Sequence, residues 1–286
     1  MSGCRVLFDR DLLRRRRDRA AAGFAAHDFL FQEVGLRLVD RLEDIRRSFP
    51  LALELGCRTG SLAGLMEGRG GVVCLVRSEL SEAMARRATN DTNKWPEGEG
   101  SRAPLTVVAD EEDFPFAPGR FDLVISNLAL HWINDLPGVL VRVRRVLKPE
   151  GLFLASMIGG TSLSELRAAL LEAESVEEGG WSPRVSPFAD VRDAGALLQR
   201  AGFVLPVADC DTLTVRYAYP LRLLLDLRGM GETNVMVERR RVPLRSGILK
   251  TALERYHATH VGVDGRVPAT FQILYLTAWA PSHHAQ

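Results

Sequence analysis

LALELGCRTG, Leu51 to Gly60, is an apolar run that closes on an acid and then breaks into glycines. Leu51 to Leu55 reads as a buried strand, and Gly56 and Gly60 belong to the turn between its C-terminal end and a helix that opens near Ser61. Working outward, short apolar runs alternate with helical spacing. VVCLV at 72–76, LTVVA at 105–109, FDLVISN at 121–127 and GLFLASMI at 151–158 read as strands. Helices fit between them at 61–68, 80–90 and 135–147, the last closed by a turn at Lys148-Pro149-Glu150-Gly151. With a further strand at 203–216 and the aromatic, β-branched run TFQILYLTAWA at 270–280, this predicts an α/β fold doubly wound on a mainly parallel, seven-stranded sheet.

The flanks are helical. Apolar residues at helical spacing predict helices over 9–22 and 28–47 ahead of the sheet, and over 162–175, 190–201, 220–228 and 245–258 behind it, with a Gly/Pro-rich stretch at 177–187. The expected division is an N-terminal helical lead at 1–48, a cofactor-binding core at 49–160, and a substrate or cap part at 161–286 that completes the sheet. The 37 basic and 36 acidic side chains leave a net charge of +1, so no global field draws nucleic acid. No run of about 20 apolar residues is long enough to span a membrane. Cys4, Cys57, Cys74 and Cys210 lie far apart without a CxxC pair, which fits thiols in a reducing compartment rather than a metal site. The expected location is the cytoplasm, or an organelle matrix for a processed chain.

Ligands of open α/β sheets sit outside the carboxyl ends of the strands, where strand order reverses. A pyrophosphate turn reads G-x-G-x-x-G, whereas this one reads Glu54-x-Gly56-x-x-x-Gly60, with an acid that repels phosphate but orients a cationic or amino-bearing ligand. Glu79, followed by Leu80, ends the second strand where a carboxylate can take both ribose hydroxyls. Asp110 and Glu111 follow the third strand, within reach of an adenine amine. The candidate cofactor set is therefore Glu54, Gly56, Cys57, Arg58, Gly60, Glu79, Leu80, Asp110, Glu111 and Asn127. Asn127, His131 and Trp132 follow the fourth strand and are the candidate catalytic residues.

These three acidic stations resemble the class I S-adenosylmethionine-dependent methyltransferases. The likeness is closer still to the family of NADH:ubiquinone oxidoreductase complex assembly factor 5 and its bacterial relatives. It is carried by LFDRDLLRRRRDRA at 7–20, ADEEDFPF at 109–116, FDLVISNLALHWINDLP at 121–137, IGGTSLSELR at 158–167, GMGETN at 229–234 and VPATFQILYL at 267–276. The resemblance implies S-adenosylmethionine as cofactor and a protein substrate, with mitochondrial members hydroxylating an arginine on a matrix-arm subunit of respiratory complex I. A small-substrate methyltransferase, such as one acting on a malonyl carrier protein, and a non-catalytic assembly chaperone are the alternatives. No iron or flavin motif that would activate oxygen is legible.

Arg58 departs from the superfamily, which places glycine there. It is expected either to be strained and obstructive, to pair with the methionyl carboxylate of the cofactor while facing Glu54, or to point into solvent from the loop tip. Glu232 and Asn234 in GMGETN are candidate substrate contacts on a gating loop flanked by flexible glycines. Ser162 and Glu165 have capping-box spacing. His257, His260 and Asp264 give a weak echo of a metal site, and no metal is expected. Arg14 to Arg17, with Arg10 and Arg19, are expected on a helix closing over the cofactor site and paired with Asp9, Asp11 and Asp18, or docking to an acidic subunit or a membrane surface.

Overall fold

Four of the five residues of β1 (Leu51–Leu55) are buried, and a strand with no polar face must be covered on both sides, which places it inside the sheet. It pairs in parallel with β2 (Cys74–Glu79) and β4 (Phe121–Asn127). β3 (Arg102–Val108) continues in parallel beyond β2, and β5 (Leu147–Ile158) beyond β4. The sheet is completed by β7 (Val267–Trp279), antiparallel to both β5 and β6 (Val204–Tyr217), giving the order β3-β2-β1-β4-β5-β7-β6. Strand order reverses between β1 and β4, so the turns after β1, β2, β3 and β4 share one end of the sheet. The structure is a computed structural model that describes residues 6–90, 95, 102–180 and 182–282; Cys4 and Trp181 lie outside them.

Helices cover both faces. On one side α2 (Phe29–Glu43) lays Phe31, Val34 and Leu38 into a cluster that also takes in Leu123, Leu154 and Tyr275. On the other, α5 (Leu136–Val146) and α7 (Val191–Arg200) pack Val139, Val143 and Leu198 against Val124 and Phe153. α1 (Arg10–Ala20) is capped by Asp9, whose carboxylate accepts from Leu12 N at 2.9 Å. α3 (Ser61–Leu65) and α4 (Glu82–Asn90) follow β1 and β2, while α6 (Ser164–Glu178), α8 (Pro220–Gly229) and α9 (Ser246–His260) build up the C-terminal half.

Two local expectations fail. Lys148 to Gly151 is not a turn between helix and strand but lies within β5. Phe121 pairs with Leu147 and Leu123 with Leu152, and the surplus residues form an irregularity in which Glu150 takes φ 58°. Ser162 and Glu165 do not cap α6, whose N-cap is Leu163. Ser162 Oγ instead donates to Gln272 O and accepts from Gln272 N, and Glu165 accepts from Thr270, so both residues clasp β7.

Candidate active site

The turn after β1 is left-handed at Gly56 (φ 71°), Arg58 (φ 52°) and Gly60 (φ 83°). Crowding reinforces the demand for glycine. A Cβ on Gly56 would stand 2.4 Å from Ala129 Cβ and 3.0 Å from Glu111 Oε1. Glu54 is buried, and its Oε2 has no hydrogen-bond partner among the described residues. Burial pushes its pKa up to about 8, Arg77 pulling it back only in part. Burial likewise pushes the Cys57 thiol up. Leu80 packs with Phe8, Leu13 and Trp132.

All three acidic stations come together at this end of the sheet, and the arginines of α1 hold two of them, Glu79 and the Asp110–Glu111 pair. Glu79 Oε1 accepts from Ser81 N at 3.0 Å and Arg17 Nη1 at 3.1 Å, while Oε2 accepts from Arg58 N at 2.9 Å. Arg17 Nη1 also donates to Glu111 at 2.9 Å. Arg10 Nη2 donates to Asp110 at 2.5 Å and to the second oxygen of Glu111. Burial alone would raise the Glu111 pKa, but Arg17, Arg10 and Arg58 overcome it and hold it at about 2. Arg17 is 0% exposed, and its Nε and Nη2 have no partner among the described residues. Arg14 alone follows the expected local pairing, near Asp11 and Asp18.

Arg58 neither reaches solvent nor faces Glu54. It is 2% exposed; Nη2 donates to Glu232 Oε1 at 2.7 Å and to Leu128 O at 3.2 Å, and Cζ stands 5.4 Å from the centre of the Phe31 ring. Burial, with Arg17 nearby, lowers the pKa of Arg58. Glu232 Oε2 accepts from Trp132 Nε1 and lies 3.1 Å from His131 Nε2. Burial works against the Glu232 carboxylate, yet Arg58 and His131 bring its pKa to about 2. Burial lowers the pKa of His131. Because a carboxylate only accepts, His131 carries its proton on Nε2 and leaves Nδ1 as an acceptor without a partner among the described residues.

Asn127 is occupied structurally. Its Nδ2 donates to Phe31 O at 2.9 Å and its Oδ1 accepts from Ser156 Oγ at 2.8 Å, which braces α2 against β4 and β5. Asn234 donates to Pro183 O at 2.6 Å. The glycines of GMGETN meet local structural demands: a Cβ on Gly229 would meet the His27 ring at 2.1 Å, and Gly231 has φ 77°. Glu232, Asn234, His131 and Trp132 all line a cavity of about 820 Å³. Neither Gly56, Gly60, Glu79, Asp110 nor Glu111 lines it. Asp264 pairs with Arg216 at 3.2 Å, and among the described residues no three His, Cys, Asp or Glu side chains form a metal-binding group.

Residues 53–155 match the family model for a methyltransferase domain. The mitochondrial arginine-hydroxylase NDUFAF5 of Danio rerio is 40% identical over 98% of this chain and 84% of its own length, and that of Homo sapiens is 40% identical over 96% and 76%. The chain belongs to the NDUFAF5 family, within the class I S-adenosylmethionine-dependent methyltransferases. The malonyl-[acyl-carrier protein] O-methyltransferase of Gallionella capsiferriformans (strain ES-2) is 33% identical over 96% of this chain and 92% of its length. Among solved structures, a putative methyltransferase from Bacillus halodurans shares the fold at TM-score 0.58 with 18% identity, covering 86% of this chain and 99% of that one. The Haemonchus contortus phosphoethanolamine N-methyltransferase 2 complex with S-adenosyl-L-methionine does so at 0.56 with 17% identity, covering 94% and 60%.

S-adenosylmethionine is the cofactor of this superfamily, and the NDUFAF5-family chain supplies groups of the right kind for it: a glycine turn after β1, a carboxylate at the end of β2, and two more after β3. Those same carboxylates are engaged by Arg10 and Arg17. Sequence reading missed this engagement. Its signal was available, since Arg10 and Arg17 are seven residues apart and so share a helix face with Leu13. The Arg58 to Glu232 pair spans 174 residues and left no local trace.

Proposed function

We propose that the chain modifies an arginine side chain of a protein, on a matrix-arm subunit of respiratory complex I, in support of that complex's assembly. The observation that carries this reading is Glu232: a loop far along the chain brings its carboxylate to the wall of the cavity, against His131 and Trp132. A carboxylate so placed suits a guanidinium. The family likeness supports it, since the relatives named arginine-hydroxylase match the C-terminal half as well as the cofactor half. Glu79 would hold the cofactor's ribose hydroxyls, and Asp110 with Glu111 its adenine, after Arg17 and Arg10 release them. The bound cofactor supplies a transferable methyl group. His131, Trp132 and Glu232 orient the substrate, and Asn234 belongs to the same substrate wall.

Hydroxylation replaces a C–H bond by C–OH. Its balance requires dioxygen and a two-electron donor, the second oxygen leaving as water. The test is mass spectrometry of the complex I arm subunits from cells with the wild-type chain, with Glu232→Gln and without the chain. A one-oxygen gain on an arginine that disappears in both altered strains is the expected result; a methylated arginine makes the reaction methyl transfer, and an unchanged arginine removes the reading. A second reading, methylation of a malonyl carrier protein in the cytoplasm, is favoured by the arginines around the cavity, which suit an anionic substrate. A purified carrier assay separates the two, and inertness in both assays with retained cofactor binding leaves the assembly-chaperone role.

A further inference from the structure

A cavity of about 820 Å³ takes a whole small molecule rather than the tip of one side chain. Its walls are apolar, with Phe31 of α2, Leu166 and Leu170 of α6, Leu227 of α8 and Phe271 of β7 among them. Among the described residues its charged lining is lopsided: seven arginines against two acids, Asp9 and Glu232. Glu232 is already shared by Arg58, His131 and Trp132, and Asp9 pairs with Arg239. Arg184 and Arg240 turn to Glu174 and Glu178. Arg228 and Arg241 are exposed and have no ion pair among the described residues. Among the described residues Arg16 bonds only to a carbonyl, that of Asn234, and burial together with Arg239 and Arg19 lowers its pKa to about 10, Asp9 opposing them in part. The solvent side of an oily chamber thus carries uncompensated positive charge.

We propose that this cavity binds an amphiphilic anion, an acyl chain ending in a carboxylate or phosphate, with the chain along the apolar walls and the head on Arg16, Arg228 and Arg241. Each methylene buried on such walls is worth about fourfold in affinity, so chain length governs binding strength. The head decides the sign of selection: a cationic amphiphile meets unpaired arginines, and a neutral one leaves them unmatched. A malonyl group has no apolar body and would leave the walls unused. The inference goes beyond side-chain modification and does not rest on it. Because the same cavity gives on to Glu232, an amphiphile seated there excludes a protein substrate.

The test is calorimetric titration of the full-length protein, without turnover, using decanoate, decyl phosphate, decanol and decyltrimethylammonium below their micelle concentrations. One saturable site is expected for the anions, with decanoate at least tenfold tighter than decanol and no binding of the cation. Tighter decyl phosphate assigns a phosphate head and tighter decanoate a carboxylate head, and either upholds the site. Arg228→Glu combined with Arg241→Glu should weaken decanoate at least tenfold, Leu170→Trp should block the chamber, and the exposed Arg87→Glu should change nothing. Decanol binding as tightly as decanoate, absence of a saturable site, or an equal loss in Arg87→Glu overturns the proposal. If the charge-reversed protein fails to fold, the wild-type comparison of decanoate with decanol decides alone. Failure here leaves the arginine-modification reading intact, and an unmodified arginine there leaves this one.

Discussion

Glu232 stands between two regions that treat charge in opposite ways. On one side, Glu79, Asp110 and Glu111 are closed in with Arg10, Arg17 and Arg58, and the charges balance within the protein. On the other, the cavity carries arginines to spare and apolar walls with nothing against them. A buried ionic cluster holds together only while every member is present, since removing one strands its partners in a medium that solvates them poorly. A solvent-facing excess costs little and remains available to a ligand. Stability should therefore depend on the first region and recognition on the second.

Arg17→Met is the most direct way to break this contrast. It leaves Glu79 with only the backbone N–H groups of Ser81 and Arg58 as hydrogen-bond donors and takes one of two arginines from Glu111, and should cost about 3–5 kcal/mol in urea unfolding, whereas Arg228→Met on the cavity side should stay within about 0.5 kcal/mol. A loss below about 1 kcal/mol for Arg17→Met would show that the cluster does not hold α1 in place.

Acid provides the next test. Glu111 and Glu232 have folded pKa values near 2, below the ordinary carboxylate value of 4.5. Both are depressed, so their contribution is present above pH 4.5 and is lost as pH falls toward 2. The total should be on the order of 2–3 kcal/mol, because the two carboxylates share arginines. Glu54 has the opposite sign. Its folded value near 8 is raised, so its contribution is complete below pH 4.5 and fades as pH rises to 8. Melting temperature against pH should fall on both sides of about 4.5, and Glu54→Gln should flatten only the upper limb. An unchanged upper limb in that variant would refute the assignment to Glu54.

The sheet was legible because its strands are apolar runs of the right length and its switch point is marked by glycines; so were the acids at the strand ends, whose positions follow from strand order. The partners of those acids were not. Helical periodicity places Arg17 on the Leu13 face but is silent on what lies opposite, and four consecutive arginines read as solvated surface until tertiary packing buries one of them. Asn127 shows the converse. Its place at the end of β4 suggests chemistry, and Phe31 and Ser156 each engage one side of its amide, giving it a bracing role that sequence does not show.

Arg58→Gly sharpens the boundary between the two regions. Glycine relieves about 1–2 kcal/mol of left-handed strain, while the lost charged bond to Glu232 costs about 1.5–3 kcal/mol, so a net loss of about 1 kcal/mol is expected. A gain in stability would rank strain above pairing. The smallest effect is expected on cofactor binding. Arg10→Gln frees Asp110 and one side of Glu111, and should tighten S-adenosylmethionine binding by about threefold in calorimetry, equivalent to ~0.6 kcal/mol. Unchanged affinity would mean that α1 and the cofactor do not compete for the same carboxylates.

β7 lies between β5 and β6 in space but after both in the chain. During synthesis β6 is complete while its sheet neighbour β7 is still unmade, about 50 residues downstream, from Tyr217 to Val267. At roughly 5–20 residues per second, the ribosome leaves the β5 edge and the whole of β6 bare for several seconds. The final apolar strand thus closes the sheet in one late step, and a nascent chain interrupted before Val267 would expose two unpaired edges to whatever chaperone or aggregate meets them first.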